Sequence, residues 1–247
     1  MIDVPTILFE DEHCLALWKR PGQFTQGDWA PPGDRTLEQE VRRYVAPDNP
    51  GSAYVGIVHR LDRPVSGVLL WAKTSRAARR LSGQFERRTV EKEYWAVVED
   101  ARDEAAGRDG PSQAVRGTWT DWLTRAGVEG VVRSLPQGSP GVREAITDYE
   151  RGTPDAIPAG LAWLRLRPRT GRTHQLRVQA ALRGMPIVGD SNYGSTRPFP
   201  DGIALHARVL RVSHPILHTP LILTAPLPQG WATLGVRIGG PAAGSPG

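Results

Sequence analysis

The chain has 247 residues, of which 39% are hydrophobic and 23% charged, so it is long enough and apolar enough to form a folded core. No apolar run reaches the roughly 20 residues of a membrane-spanning helix, and the N-terminus lacks the layout of a signal peptide, so we expect a soluble, cytoplasmic protein with no membrane partner. We also expect a monomer. The single cysteine, Cys14, excludes an intrachain disulfide, and the net charge of +5 suits a polyanionic partner. The scarcity of lysine among the basic residues, only three in all, is also what a bias in genomic base composition produces.

The N-terminal segment predicts a hairpin, a loop and a helix. Two short apolar runs, residues 6–9 and 14–18, flank an acidic turn and read as paired strands. The KRPGQFTQGD stretch that follows is loop-like. Residues 36–45 then predict a helix, because Thr36 and Gln39 have the spacing of a capping box ahead of an apolar face.

Residues 52–73 place one carboxylate between two predicted strands. The apolar runs 54–58 and 68–71 are joined by HRLDRPVSG, whose proline and glycine indicate a turn. Asp62 lies at this junction, and a loop held by two strands is a frequent position for a reacting group. The alternative is an aspartate that caps the turn or pairs with Arg60 or Arg63.

The next segments alternate helix and strand. Residues 75–85 predict a second helix, whose arginines form either a stripe that faces a polyanionic partner or an ordinary solvated face. Residues 91–99 predict a strand with Lys92 and Tyr94 on the same side. Residues 100–142 are the least informative part of the chain; we expect surface hairpins there, with poor order at residues 103–112.

The C-terminal half predicts strands at residues 143–151 and 161–168, a turn at Thr170–Gly171 and a helix over residues 173–183. Helical spacing would place His174 and Arg177 on one face. Strands are expected near residues 203–214 and 219–225, followed by a low-complexity tail. Strands outnumber helices, which predicts an α+β fold.

Several stretches together resemble one family. HRLDRPVSG is similar to the HRLD-x-x-T/S-G signature of the RluA-like RNA pseudouridine synthases, and GRTHQLR, PIVGDSNYG and the LHA…HP segment match further family motifs in the same order. Two departures are KRPG, where the family has a Lys-Pro-Gly loop, and Gln179, where many members have histidine. Gln179 is expected to be structural or RNA-facing.

The resemblance implies a fold and a domain layout. The family fold is a mixed, mostly antiparallel sheet in two halves, flanked by helices, with a central cleft. We expect one catalytic domain over residues 1–235, no N-terminal RNA-binding domain of the S4 type, and a disordered tail over residues 236–247.

The resemblance also implies the reaction, which is isomerisation of uridine in RNA to pseudouridine. Asp62 would be the catalytic carboxylate, and Arg177 its charge partner in a pocket that excludes water. A guanidinium suits this because it stays charged and binds in a fork. Tyr94 would stack on the extruded uracil, and a second role that the resemblance implies for it is to handle the C5 proton. Whether Asp62 attacks C1′ or removes a proton from C2′ is open at this point.

Other residues are implied as substrate contacts. Arg60 would fill the stack vacated by the flipped base, while His59 either orients the turn or contacts RNA. The remaining contacts are Lys92 beside Tyr94, Leu205 as an apolar wall of the uracil pocket, and Arg172, His174 and Gln175 as phosphate contacts or supports behind the site.

The reaction gains and loses no atoms, so we expect no cofactor, and no Cys/His cluster predicts a metal. The expected partner is RNA, with ribosomal RNA favoured over transfer RNA. Two rival functions remain. One is a hydrolase that pairs His59 or His174 with Asp62, and the other is a non-catalytic RNA-binding module on the same fold.

Overall fold

A computed structural model describes residues 6–27, 36–100, 116–127 and 130–239. The chain divides into two compact units. The first contains the chain up to Tyr94 together with His206–Leu227, and the second contains Trp95–Leu205 and the residues from Pro228 onward. In the part of the chain that the structure describes, no helix is long and apolar enough to cross a membrane.

The regular elements confirm an α+β fold dominated by strands. In chain order they are β1 (Thr6–Glu10), β2 (Cys14–Lys19), α1 (Leu37–Val45), β3 (Gly56–Ile57), β4 (Ser66–Ala72), α2 (Ser75–Glu86), β5 (Glu91–Glu99), β6 (Arg116–Leu123), β7 (Arg143–Gly152), β8 (Leu161–Pro168), α3 (Gln175–Ala181), β9 (Leu205–Ser213), β10 (Pro220–Thr224) and α4 (Gln229–Thr233).

The first unit is built on the predicted hairpin. β1 pairs antiparallel with β2, and β2 with β4. β4 then runs parallel to β9 in the Ser66–His206 register, and β10 pairs antiparallel with β9. The sheet is therefore mixed and mostly antiparallel, as expected. Cys14 is buried in the core of this unit, and burial raises the pKa of its thiol to about 12.

Gly67 is required where β4 meets β9. Its φ is +127°, a conformation that side chains rarely adopt, and a Cβ there would clash with the carbonyl oxygen of Ala207. The glycine of the HRLDRPVSG stretch therefore lets the two strands approach immediately after the turn that carries Asp62.

Both predicted helices of the first unit are confirmed. α1 begins after Thr36, and the reciprocal Thr36–Gln39 capping box is present. α2 begins after Thr74, whose side chain accepts a hydrogen bond from the amide of Ala77. The predicted strand 54–58 is reduced to the two residues of β3, which pair with β4, and a short 3₁₀ turn at Pro50–Ser52 precedes it.

The second unit contains a three-stranded antiparallel ladder, β6–β7–β8. α3 lies beside it and is shorter than the predicted helix 173–183. His174 has φ +52° and caps the helix in the left-handed conformation, so it does not share a helical face with Arg177 as predicted. The sequence pattern also missed α4.

Gln179 is structural rather than RNA-facing. Its side chain is fully buried, and it bonds to the hydroxyl of Thr147 (2.6 Å), the carboxylate of Asp121 (2.8 Å) and the carbonyl of Ala145 (3.1 Å). These contacts join α3 to β6 and β7. The glutamine that replaces the family histidine therefore takes part in the internal packing of the second unit.

Two predictions concern segments at the limits of the described chain. Residues 103–112 lie outside the described residues. Of the expected tail 236–247, Val236 is buried and Arg237 exchanges backbone hydrogen bonds with Ala156 at 2.9 and 3.2 Å. Residues 240–247 lie outside the described part.

Candidate active site

Asp62 lies on a tight turn between β3 and β4. The amide of Val65 donates to the carbonyl of Asp62 at 3.0 Å and closes the turn, while the carboxylate itself is half-buried. The turn is also held from the N-terminal loop, because the hydroxyl of Thr25 donates to the carbonyl of Leu61 at 3.0 Å. Arg63 and Gly22 exchange a further pair of bonds at 2.9 and 3.1 Å.

Lys19 is an anchor that the sequence patterns did not identify. Its ammonium group is fully buried and donates to the carbonyls of Val65 (2.7 Å), Arg63 (3.0 Å) and Arg20 (3.2 Å). Burial lowers its pKa to about 7, although the charge of Asp62 opposes the shift. Lys19 is the lysine of the KRPG loop, and it fixes the backbone on the C-terminal side of Asp62.

Tyr94 lies on β5 within the electrostatic reach of Asp62. Burial raises the pKa of its phenol above the usual range, and the negative charge of Asp62 raises it further. The phenol therefore keeps its proton at neutral pH. Lys92, two residues earlier on the same strand, has a pKa lowered by burial and by the charge of Arg88.

His59 is held in a structural position. Its ring stacks on Phe85 with centroids 4.9 Å apart, and its Nε2 accepts a hydrogen bond from the amide of Leu70 at 2.9 Å. Burial lowers its pKa to about 3. The lone pair that a general base needs is occupied, so His59 does not fit a hydrolytic pair with Asp62. The next residue, Arg60, is exposed.

Arg177, on α3 of the second unit, is buried in a bidentate ion pair with Asp190. Nε and Nη2 donate to the two carboxylate oxygens at 2.6 and 2.8 Å, and the two side chains are 4% and 2% exposed. The guanidinium carbon also lies 5.0 Å from the ring centroid of Tyr193. The predicted partner was Asp62, and that pairing stays a prediction. Asp190 was missed because nothing in helical or strand periodicity links it to Arg177.

The turn before α3 is closed by Gln175. Its side-chain oxygen accepts from the hydroxyl of Thr170 (2.7 Å) and the amide of Arg172 (3.0 Å). Its nitrogen donates to the carbonyl of Ile146 and the hydroxyl of Thr147. All four bonds are internal, which favours a supporting role for Gln175 over a phosphate contact.

Three other residues of the second unit were predicted to contact the substrate, and each makes different contacts. Arg172 is half-buried, and its Nε donates to the carbonyl of Glu144 at 2.9 Å. Nδ1 of His174 lies 2.8 Å from the hydroxyl of Tyr193, so His174 also helps to fix the ring beside Arg177. Leu205 is buried at the start of β9, and its role as a wall of the uracil pocket stays a prediction.

One cluster has the composition of a metal site. Asp11, Cys14 and His214 place their donor atoms within 4.8 Å of one another. However, Nδ1 of His214 accepts from the amides of Ile216 and Leu217, so its proton is on Nε2, which lies 2.7 Å from the carboxylate of Asp11. A metal would need the lone pair of Nε2, and the cluster therefore fits a clamp on the hairpin instead.

Residues 15–182 match the family model described as RNA pseudouridylate synthase. Among curated relatives, "tRNA pseudouridine synthase C" of Yersinia pestis is 30% identical over 250 residues, covering 94% of this chain and 90% of the relative. The protein of the same name in Salmonella typhimurium is 33% identical, with coverages of 91% and 86%. "Ribosomal large subunit pseudouridine synthase C" of Vibrio vulnificus is 30% identical, covering 90% of this chain and 65% of the relative.

Solved structures give the same fold. Human RNA Pseudouridylate Synthase Domain Containing 4 superimposes with a TM-score of 0.70 over 94% of both chains, at 20% identity. Human RNA Pseudouridylate Synthase Domain Containing 1 has a TM-score of 0.68 and 27% identity, with coverages of 92% of this chain and 85% of that one.

Proposed function

The chain belongs to the RNA pseudouridylate synthase family, and we propose that it converts specific uridines of transfer RNA to pseudouridine with Asp62 as the single catalytic carboxylate. Membership makes it an isomerase that acts on RNA. The observation that supports the catalytic assignment is local to the first unit: Asp62 lies on a turn fixed through Lys19, and its charge acts on the protonated phenol of Tyr94.

The reaction exchanges one bond of the nucleoside for another. The C1′–N1 bond breaks, the uracil rotates, and C1′ joins C5. The hydrogen of C5 must leave, and N1 must gain a proton, so the composition of the RNA does not change. A carboxylate can begin this reaction by attacking C1′ or by taking a proton from C2′. Asp62 is proposed for this role by either route.

Tyr94 is proposed to contact the uracil rather than to serve as the base at C5. A phenol whose pKa is raised by burial and by a neighbouring carboxylate gives up its proton less readily than free tyrosine. It can still pack against the base and donate a hydrogen bond. Because a paired base cannot be reached, the uridine is proposed to be flipped out, with exposed Arg60 filling the gap.

Arg177 is proposed as the cation that keeps Asp62 ionised. Its position in the second unit is held by the fork to Asp190 and by the ring of Tyr193, so its guanidinium has little freedom to move. Such pre-organisation is what a charge partner in a dry site requires.

Transfer RNA is proposed as the substrate because of the names of the relatives. Six relatives that the chain matches over 86–97% of their length have names that specify transfer RNA. A seventh with that name is matched over 62% of its length, and the ribosomal relative over 65%. Ribosomal RNA, favoured on family breadth alone, is the second substrate to test.

Tritium at C5 of uridine tests the proposal directly. Transfer RNA and ribosomal RNA transcripts labelled at C5 are incubated with the full chain, and the label released to water is counted. We expect release of the label from transfer RNA with no cleavage of the RNA and no loss of uracil. Free uracil or cleaved RNA would instead support a hydrolase, and binding without release would support a non-catalytic module.

A further inference from the structure

The helix that follows the catalytic turn has an unusual charge pattern. We propose that five arginines of α2 and its C-terminal cap form a docking surface for the phosphate backbone of the substrate RNA; we call them the α2 arginine row. They are Arg76, Arg79, Arg80, Arg87 and Arg88. The inference rests on the proposed function for the identity of the RNA, and on the geometry of α2 for the surface.

Most of the row faces solvent without acidic partners. Arg76, Arg79, Arg87 and Arg88 are exposed, and no ion pair joins them to a carboxylate within the described ranges. Arg80 donates to the carbonyl of Pro215 at 2.7 Å.

Two arginines of the second unit show the opposite arrangement. Arg169 lies 2.7 Å from a carboxylate oxygen of Asp148, and Arg183 lies 3.0 Å from one of Asp121. Acidic partners for arginine are therefore available in this fold, and α2 does not use them.

Three arginines of the row lie along one side of the helix. Arg76, Arg80 and Arg87 are four and seven residues apart, so they share a face. They span about 16 Å of helix axis, over which one strand of a nucleic-acid duplex carries about five phosphates. Gly83 lies between them, and the Arg87 guanidinium occupies its open side: a Cβ on Gly83 would lie 2.9 Å from Nη1 of Arg87.

Several features of α2 oppose the stability of the helix. Arg76 lies in the first turn, where the helix dipole disfavours a cation, and it is three and four residues from Arg79 and Arg80, which repel it. α1 follows the usual rule, with acidic residues Glu38 and Glu40 in its first turn and basic residues in its last. α2 therefore carries charges that the helix itself does not favour.

The backbone conformation of Arg88 also disfavours the folded helix end. It has φ +58°, and the helix ends in a Schellman motif, because the amide of Thr89 donates to the carbonyl of Gln84 and that of Arg88 to Phe85. Arg88 thus occupies the position at which glycine is strongly preferred. Strained residues of this kind cluster at functional sites, where the surrounding structure holds them in place.

The C-terminal end of the α2 arginine row lies near the turn that carries Asp62. Burial and then the charge of Arg88 lower the pKa of Lys92, and the charge of Lys92 adds to the effect of burial on the pKa of His59, three residues before Asp62. Phe85 of α2 stacks on the His59 ring. RNA phosphates held along α2 would therefore approach the turn that carries Asp62 within the same unit.

Charge removal with a matched control tests the surface. The row variant carries Arg76→Gln, Arg79→Gln and Arg87→Gln. The control carries Arg43→Gln, Arg125→Gln and Arg211→Gln, three exposed arginines elsewhere, so both variants lose three charges. Binding of a transfer RNA transcript is measured from 50 to 300 mM salt.

We expect the slope of log K against log salt to become shallower by about 2–3 in the row variant, since each phosphate contact contributes about 0.7–0.9. The control should keep the slope of the unchanged protein within about 0.5. At 150 mM salt, kcat/KM should fall at least tenfold in the row variant, with kcat at saturating RNA within about twofold. Equal slopes in the two variants would overturn the surface while leaving the isomerase activity in place.

Arg88→Gly separates docking from structure. Glycine relieves the left-handed conformation, so we expect Tm to rise by about 2–4 °C while the salt slope falls by about 0.7–0.9. A structural role for Arg88 would lower Tm instead. If the unchanged protein made no pseudouridine, the proposed function would fail, whereas the slopes would still decide whether α2 binds RNA.

Discussion

The buried pair of Arg177 and Asp190 allows the sharpest test of how the second unit prepares its arginine. Asp190→Asn removes the negative charge and leaves a guanidinium that is only 4% exposed without its carboxylate. Breaking one partner of a buried ion pair costs about 3–5 kcal/mol. In a chain of this size each kcal/mol lowers Tm by about 2–4 °C, so we expect Tm to fall by about 6–20 °C.

A double variant separates stability from chemistry. Arg177→Met with Asp190→Leu replaces both charges by apolar side chains, which is often neutral or stabilising at a buried pair. We expect its Tm to lie within about 4 °C of the unchanged protein, with tritium release from C5-labelled RNA lost. Thermal unfolding followed by circular dichroism and the release assay supply the two readouts. A single Asp190→Asn variant with unchanged Tm would refute the reasoning, as would an active double variant.

Three further perturbations follow from the site. Arg177→Lys should recover only part of the activity, because an ammonium group cannot form the two-pronged contact with Asp190; full activity would contradict this. Lys19 has a pKa of about 7 in the folded chain against about 10.4 unfolded, so the unfolded state binds more protons between these values and stability should rise with pH there. From pH 7.5 to 8.5 the free energy of unfolding, measured with urea, should rise by about 1 kcal/mol more in the unchanged protein than in Lys19→Met, and parallel curves would argue against it. Gly67→Ala should cost about 2–5 kcal/mol, because the methyl group meets the carbonyl of Ala207 at a strained φ; a loss of under 1 kcal/mol would show that β4 and β9 can separate.

Local signals predicted the first unit well. The Thr36–Gln39 capping box predicted the start of α1, and two apolar runs around an acidic turn predicted the β1–β2 hairpin, because both signals depend on neighbouring residues alone. The same logic was wrong for the start of α3. The predicted helix began at residue 173, whereas α3 begins at Gln175. His174 instead adopts a left-handed conformation, and its ring contacts Tyr193, 19 residues further along the chain.

Long-range contacts explain what the sequence could not provide. Lys19 is 44 and 46 residues away from two of the carbonyls that it binds, and no motif spacing links an ammonium group to backbone oxygens. Asp190 was noted only as part of the PIVGDSNYG resemblance, and its pairing with Arg177 required the loop after α3 to fold back. Such partners depend on tertiary packing rather than on periodicity.

The carboxylate of Asp62 is the group on which the account depends. Asp62→Asn keeps the shape of the side chain and removes its charge, so tritium release from C5-labelled transfer RNA should fall below a few per cent of the unchanged rate. RNA affinity should stay within about tenfold, because phosphate contacts supply most of the binding. Release above a few per cent from a correctly folded Asp62→Asn protein would contradict the assignment of the catalytic residue.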